Sequence, residues 1–168
     1  MHSLRQLLED LSREWIHNGL PSREQVIQAA HTVIRNKQHH SLPGLWPVRP
    51  RIITATLDDG IGQGIELIEI FSDALGLEVV SLGLMQKPDA ILSACHLHVP
   101  RYVGLTVLQL DTEDDLMHIG RHLPASIRLV AGGPAFRYDS DLAARCGVHA
   151  TPVNVAHFIA FMLSEALE

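Results

Sequence analysis

The stretch RIITATLDDGIGQGIELIEIFSDALGLEVVSLG, residues 51–83, runs from a β-branched segment through a turn of aspartates and glycines into a helical pattern, then into a second β-branched segment. Such a strand, helix and strand in succession is the unit of a parallel sheet with crossover helices. The alternation continues to the end of the chain. Strands are expected at Arg51–Leu57, Glu78–Leu82, Tyr102–Val107, Arg128–Ala131 and Val148–Thr151, with helices at Ile61–Leu75, Pro88–His96, Glu113–Leu123, Ser140–Cys146 and Val155–Ala166. Five units without room for a sixth predict an α/β, flavodoxin-like (Rossmann-like) five-stranded parallel sheet in the order 2-1-3-4-5 over residues 51–168.

Two further segments precede this part. Residues 1–40 read as two helices. Ser3 with Gln6 and Ser22 with Gln25 have capping-box spacing, in which each side chain satisfies an otherwise orphaned backbone N–H. Leu4, Leu7, Leu8, Leu11 and Trp15 form one apolar stripe, and Val26, Ala29, Ala30, Val33 and Ile34 form another. The short Asn18-Gly19-Leu20-Pro21 connection predicts an antiparallel helical hairpin. Its stripes need cover from the following domain, a partner or a second copy of the chain, so a homodimer through these helices is one expectation. Residues 41–50, with Pro43, Gly44, Pro47 and Pro50 around Trp46, read as a linker whose tryptophan is pinned to a surface.

Composition narrows the classes of function. The chain has 168 residues, 46% apolar and 19% charged, which fits a globular fold and excludes a disordered one. Thirteen Lys and Arg against nineteen Asp and Glu leave a net charge of −6, unsuited to a broad hold on nucleic acid or anionic lipid. No apolar run approaches the roughly 18 residues of a membrane span. Two cysteines, Cys95 and Cys146, suit reduced core positions, and a cytoplasmic location is expected.

In a doubly wound sheet, ligands bind at the carboxyl ends of the strands, near the point where strand order reverses. Three loops meet there: Leu57-Asp58-Asp59-Gly60-Ile61-Gly62-Gln63-Gly64, Thr106-Val107-Leu108 and Gly132-Gly133-Pro134. Glycines let ligand and backbone approach closely, and a helix beginning near Ile61 offers N–H groups. Glycine-rich turns also occur for geometric reasons alone, and Asp58 or Asp59 also suits a helix cap.

These segments, in order and spacing, resemble the cobalamin-binding domain of methionine synthase, methylmalonyl-CoA mutase and methyltransferase corrinoid proteins, over Arg51 to about Leu163. The resemblance implies a corrinoid cofactor. Asp58, Asp59, Gly60, Gly62, Thr106, Leu108, Gly132 and Gly133 would then be the cofactor-binding positions. In that family an Asp-x-His-x-x-Gly loop supplies a histidine ligand to cobalt. Here Gly62 matches the glycine, Asp59 stands at the histidine and Leu57 at its supporting aspartate. A carboxylate is a poor replacement for imidazole on cobalt, and leucine cannot orient it. Three expectations follow: cobalamin held without a protein ligand, haem in the same slot, or a cofactor-free regulatory or scaffold protein. The first makes the chain a carrier, sensor or accessory module, such as the corrinoid subunit of a methyltransferase or mutase system, with chemistry left to a partner enzyme.

The aspartate pair also suits a response-regulator receiver, but such a domain needs an aspartate where Thr106-Val107-Leu108 stands and a lysine where Thr151-Pro152-Val153 stands. Eleven histidines invite a metal site. His118 and His122 have the i, i+4 spacing for one metal, without evident further ligands. Cys95-His96-Leu97-His98 lies at the opposite edge of the sheet, and His39-His40 closes a helix. His149 and His157 are the candidates for an unorthodox axial ligand, and Tyr102, Phe136 and Tyr138 for bordering the slot. No catalytic constellation is placed by motif.

Overall fold

The computed structural model describes residues 3–59 and 63–167. Its centre is a parallel sheet of β1 (Arg51–Thr56), β2 (Glu78–Gly83), β3 (Tyr102–Thr106) and β4 (Arg128–Gly132), in the order β2-β1-β3-β4. Ile53 pairs with Val80 on one side and Val103 on the other, and Val103 pairs in turn with Leu129. The strand order reverses between β1 and β3, as expected.

The expected fifth strand is not formed among the described residues. Val148–Thr151 lies beside β4 but makes one isolated bridge, Ala150 to Val130. His149 N–H donates to Leu129 O at 2.8 Å and Ala131 N–H to Ala150 O at 3.0 Å. The neighbouring Leu129 N–H then donates to the His149 ring at Nδ1, 2.9 Å away, instead of to a strand carbonyl. Pro152 follows without an N–H to offer, so the ladder ends after one rung.

Side-chain alternation divides the core in two. Ile53, Ala55, Val103, Leu105, Leu129 and Ala131 face α4 (Pro88–His98) and α5 (Glu113–His122), meeting Ile91, Cys95, Leu116 and Ile119. Ile52, Tyr102 and Val130 point the other way, toward Phe71 and Leu75 of α3 (Gln63–Leu75) and Phe158 and Met162 of α8 (Val155–Glu165). Two one-turn helices, α6 (Ala135–Tyr138) and α7 (Leu142–Arg145), follow β4. The second falls within the helix expected from Ser140 to Cys146, and the first is an additional turn before it.

The N-terminal helices α1 (Leu4–Asn18) and α2 (Arg23–His39) complete the second core. Ser22 and Gln25 make the full capping box, whereas Ser3 only accepts the Gln6 N–H. The helices do not form a self-packed hairpin: α1 lies mainly against α8, and α2 against α3. Leu4, Leu8, Trp15, Val26, Ala30 and Val33 are buried in one cluster with Phe71, Phe158 and Met162. Trp15 meets Phe71 edge-on, with centroids 5.8 Å apart. The apolar stripes are therefore covered within the chain, by the α/β part. Trp46 of the linking segment is buried and tilted against Tyr102, and Leu45 N–H donates to Leu75 O. No described helix is long and apolar enough to cross a membrane.

Candidate functional site

At the carboxyl ends of β1, β3 and β4 the sheet opens into a cavity of about 280 Å³. Its floor is Thr56, Gly104, Leu105, Thr106, Val130 and Gly132, and its side walls come from Ile65 and Ile68 of α3 and Val155 and Phe158 of α8. Leu20, in the turn between α1 and α2, reaches the lining. The cavity exists because α3 and α8 cover this face of the sheet while the floor is kept small. Gly133 has φ +120°, and a Cβ there would stand 2.2 Å from the Val107 carbonyl oxygen. Gly64 faces Thr106, and a Cβ there would only reach ordinary contact with its methyl group, at 3.8 Å.

Four of the eight expected positions, Thr106, Leu108, Gly132 and Gly133, line this one space. Asp58 does not line it. Its carboxylate is buried, and Oδ2 accepts the N–H groups of Leu108 at 2.8 Å and Gln109 at 3.2 Å, while Oδ1 is buried without a partner among the described residues. It ties the loop after β1 to the loop after β3 and does not cap the next helix through these bonds. Asp59 is exposed and stands outside the lining. Gly60 and Gly62 lie outside the described residues.

Other contributors come from parts of the chain that carry no motif. Thr56 donates its hydroxyl to Asp58 O at 2.9 Å and accepts Met85 N–H at 3.1 Å, so the end of β1 holds the loops after β1 and β2. Asn154 caps α8, with Oδ1 accepting from Ala156 N–H at 3.0 Å and His157 N–H at 3.2 Å. The asparagine before the last helical pattern was the available sequence signal for that rim. Phe158 and Leu20 had none, since their place depends on how helices pack.

The described histidines do not converge on the cavity: none of them lines it. His118 and His122 stack with centroids 4.3 Å apart, His122 Nδ1 donates to His118 O, and His118 Nε2 lies 3.4 Å from Asp89. Among the described residues no three His, Cys, Asp or Glu side chains are grouped to hold a metal. His149 is engaged with the β4 backbone, and His157 Nδ1 lies 3.0 Å from Asn154 Oδ1. Because that oxygen only accepts, the ring nitrogen facing it is the one carrying hydrogen. Cys95 is a core thiol whose burial pushes it up to about 11.

Two expected aromatic borders are elsewhere. Tyr102 begins β3 at the amino end of the sheet, is fully buried and donates to Glu165 Oε2 at 3.2 Å. Burial holds its hydroxyl well above the ordinary tyrosine value. Tyr138 is exposed, and neither it nor Phe136 lines the cavity.

No family model matches the chain, and no curated protein matches it by sequence. Solved structures do. A cobalamin-binding protein of Desulfitobacterium hafniense aligns over 95% of this chain and 78% of its own, with a TM-score of 0.79 at 18% identity. The monomethylamine corrinoid protein of Methanosarcina barkeri aligns over 96% of this chain and 80% of its own (TM-score 0.64, 15% identity). The methanol:cobalamin methyltransferase complex of the same organism aligns over 98% of this chain and 65% of the matched chain (TM-score 0.65, 18% identity). The fold of this chain is the α/β fold shared by those cobalamin-binding and corrinoid proteins.

Proposed function

We propose that this chain is a corrinoid-binding protein that takes the nucleotide tail of a cobalamin into the cavity at the carboxyl edge of its sheet. The observation that carries the reading is the cavity itself. It is walled by Ile65, Val155 and Phe158, floored by Thr106 and Gly132, and placed at the strand-order reversal where this fold receives ligands. An aromatic base joined to a ribose phosphate fits such a slot, its ring against hydrocarbon and Thr106 offering a hydroxyl. The glycines at 132 and 133 let the tail approach the backbone.

In this reading Asp58 positions the Leu108 side of the slot, and Asp59 faces the lower side of the ring in place of the histidine that the resembled family uses. When bound, the cobalt supplies a site that can carry a transferable methyl group. In this reading transfer belongs to a partner methyltransferase, by analogy with the matched methanol:cobalamin methyltransferase complex. Haem gains no support from the site, since the described lining residues include no histidine and no cysteine.

The test is visible absorption of purified apoprotein after addition of hydroxocobalamin or methylcobalamin and removal of free cofactor by gel filtration. Retention of stoichiometric corrinoid is expected at tens of micromolar protein, on the order expected for a resident cofactor. Elution of colourless protein would overturn the reading. If cobalamin is retained, Asp59→His should shift its spectrum toward an imidazole-ligated form. An unchanged spectrum would remove Asp59 from beneath the ring.

A further inference from the structure

The polarity of the cavity points beyond a corrinoid in general to a choice among corrinoids. Three of its lining side chains carry hydrogen-bonding groups: Thr56, Thr106 and Asn154. The Thr56 hydroxyl is engaged on both sides, by Asp58 O and Met85 N–H. The Asn154 oxygen is engaged by the first turn of α8, which leaves that side chain only an N–H donor. Thr106 Oγ1 has no hydrogen bond among the described residues and faces Gly64. The other described lining side chains are hydrocarbon, among them Leu105, Val130, Val155 and Phe158.

Resting on the reading above, we infer that the slot selects cobamides by their lower base, taking those whose far edge is apolar and rejecting those with a purine. Dimethylbenzimidazole has one ring nitrogen that can accept from Thr106 and presents two methyl groups to the wall. Adenine carries an exocyclic amine and extra ring nitrogens instead. The Asn154 N–H can serve at most one of those ring nitrogens, and no described lining side chain offers a free carboxylate or amide oxygen to the amine, which would lose water against Val130 and Phe158 without a side-chain partner. A site that leaves polar groups unpaired discriminates strongly against them.

The experiment compares retention of cobalamin, the adeninyl cobamide and the p-cresolyl cobamide, all in the cyano form, by the wild-type chain and by Thr106→Val. Adenine is the weaker base toward cobalt, so detachment of the tail alone would favour the adeninyl form. The slot is expected to reverse that order, with the adeninyl form bound at least about tenfold more weakly than either of the others. Thr106→Val should weaken cobalamin severalfold and leave the cresolyl form unchanged, because cresol has no ring nitrogen to accept the hydroxyl. Equal or tighter binding of the adeninyl form by wild-type protein would overturn the selection while leaving the corrinoid reading intact. Retention of none of the three would overturn both. Should Thr106→Val fail to fold, the wild-type comparison decides alone.

Discussion

Asp58 keeps one carboxylate oxygen on two backbone N–H groups and the other buried and unbonded among the described residues, so its contribution is to the shape of the loops around the cavity. Charged acceptors make stronger hydrogen bonds than neutral ones, and buried donors left unpaired are costly. Asp58→Ala is expected to lower unfolding free energy by about 2–3 kcal/mol, measured by urea denaturation. Asp58→Asn, whose amide oxygen still accepts, should lose clearly less. Equal losses would mean that the carboxylate fills space and does not serve as an acceptor. The aspartate was legible in the sequence as a residue of the right loop, but its partners were not. They lie 50 and 51 positions away and are backbone groups without a motif.

A second residue-scale expectation concerns the thiols. The folded state favours the neutral Cys95, raised from 9.0 to about 11 by burial, so it binds more protons than the unfolded state between those values. Stability should therefore fall as pH rises above 9.0, and Cys95→Ser should flatten that part of the unfolding profile. Under native conditions at pH 8, neither Cys95 nor Cys146 should react quickly with iodoacetamide, and both should react in urea.

The elements around the cavity are held by their ends. Asn154 supplies the only oxygen that satisfies the first N–H groups of α8 from a side chain among the described bonds, and it also forms part of the cavity rim. Asn154→Ala should cost about 1 kcal/mol as a lost helix cap. It should also loosen cofactor retention by moving Val155, whereas Ser22→Ala, a cap of comparable worth on α2, should leave retention unchanged. Comparing thermal melting with retention for the two variants separates a local effect on the rim from general loss of stability. Element type was readable wherever periodicity was long, as in α3 and α8. The fifth strand was over-read because Val148–Thr151 has strand-like residues, and sequence alone did not reveal that the His149 side chain would occupy the hydrogen bond needed to extend it.

Across the whole molecule, the N-terminal helices are part of the wall that makes the site possible. Leu8 and Trp15 pack into the cluster containing Phe158, whose ring also lines the cavity, and Leu20 reaches the lining directly. Leu8→Ala is expected to destabilise by about 3 kcal/mol through lost burial and a residual void. Removal of residues 1–40 should expose Phe71, Phe158 and Met162 and leave an α/β part that aggregates or unfolds without a sharp transition, as followed by circular dichroism on heating. A cooperative, soluble fragment that still retained cobalamin would show that the helices are dispensable.

The parallel sheet, the reversal between β1 and β3, and the three loops that meet there follow from the residues alone, because β-branched runs, helical periodicity and glycine turns are local properties. It takes the packed molecule to bring Thr106 and Gly132 into one cavity with Phe158 and Leu20, to turn Asp58 to the backbone of another loop, and to keep the described histidines away from the lining. Those facts depend on which faces of α1, α2, α3 and α8 come together. That choice is made by burial of long-range apolar surface, to which no short stretch of the chain has access.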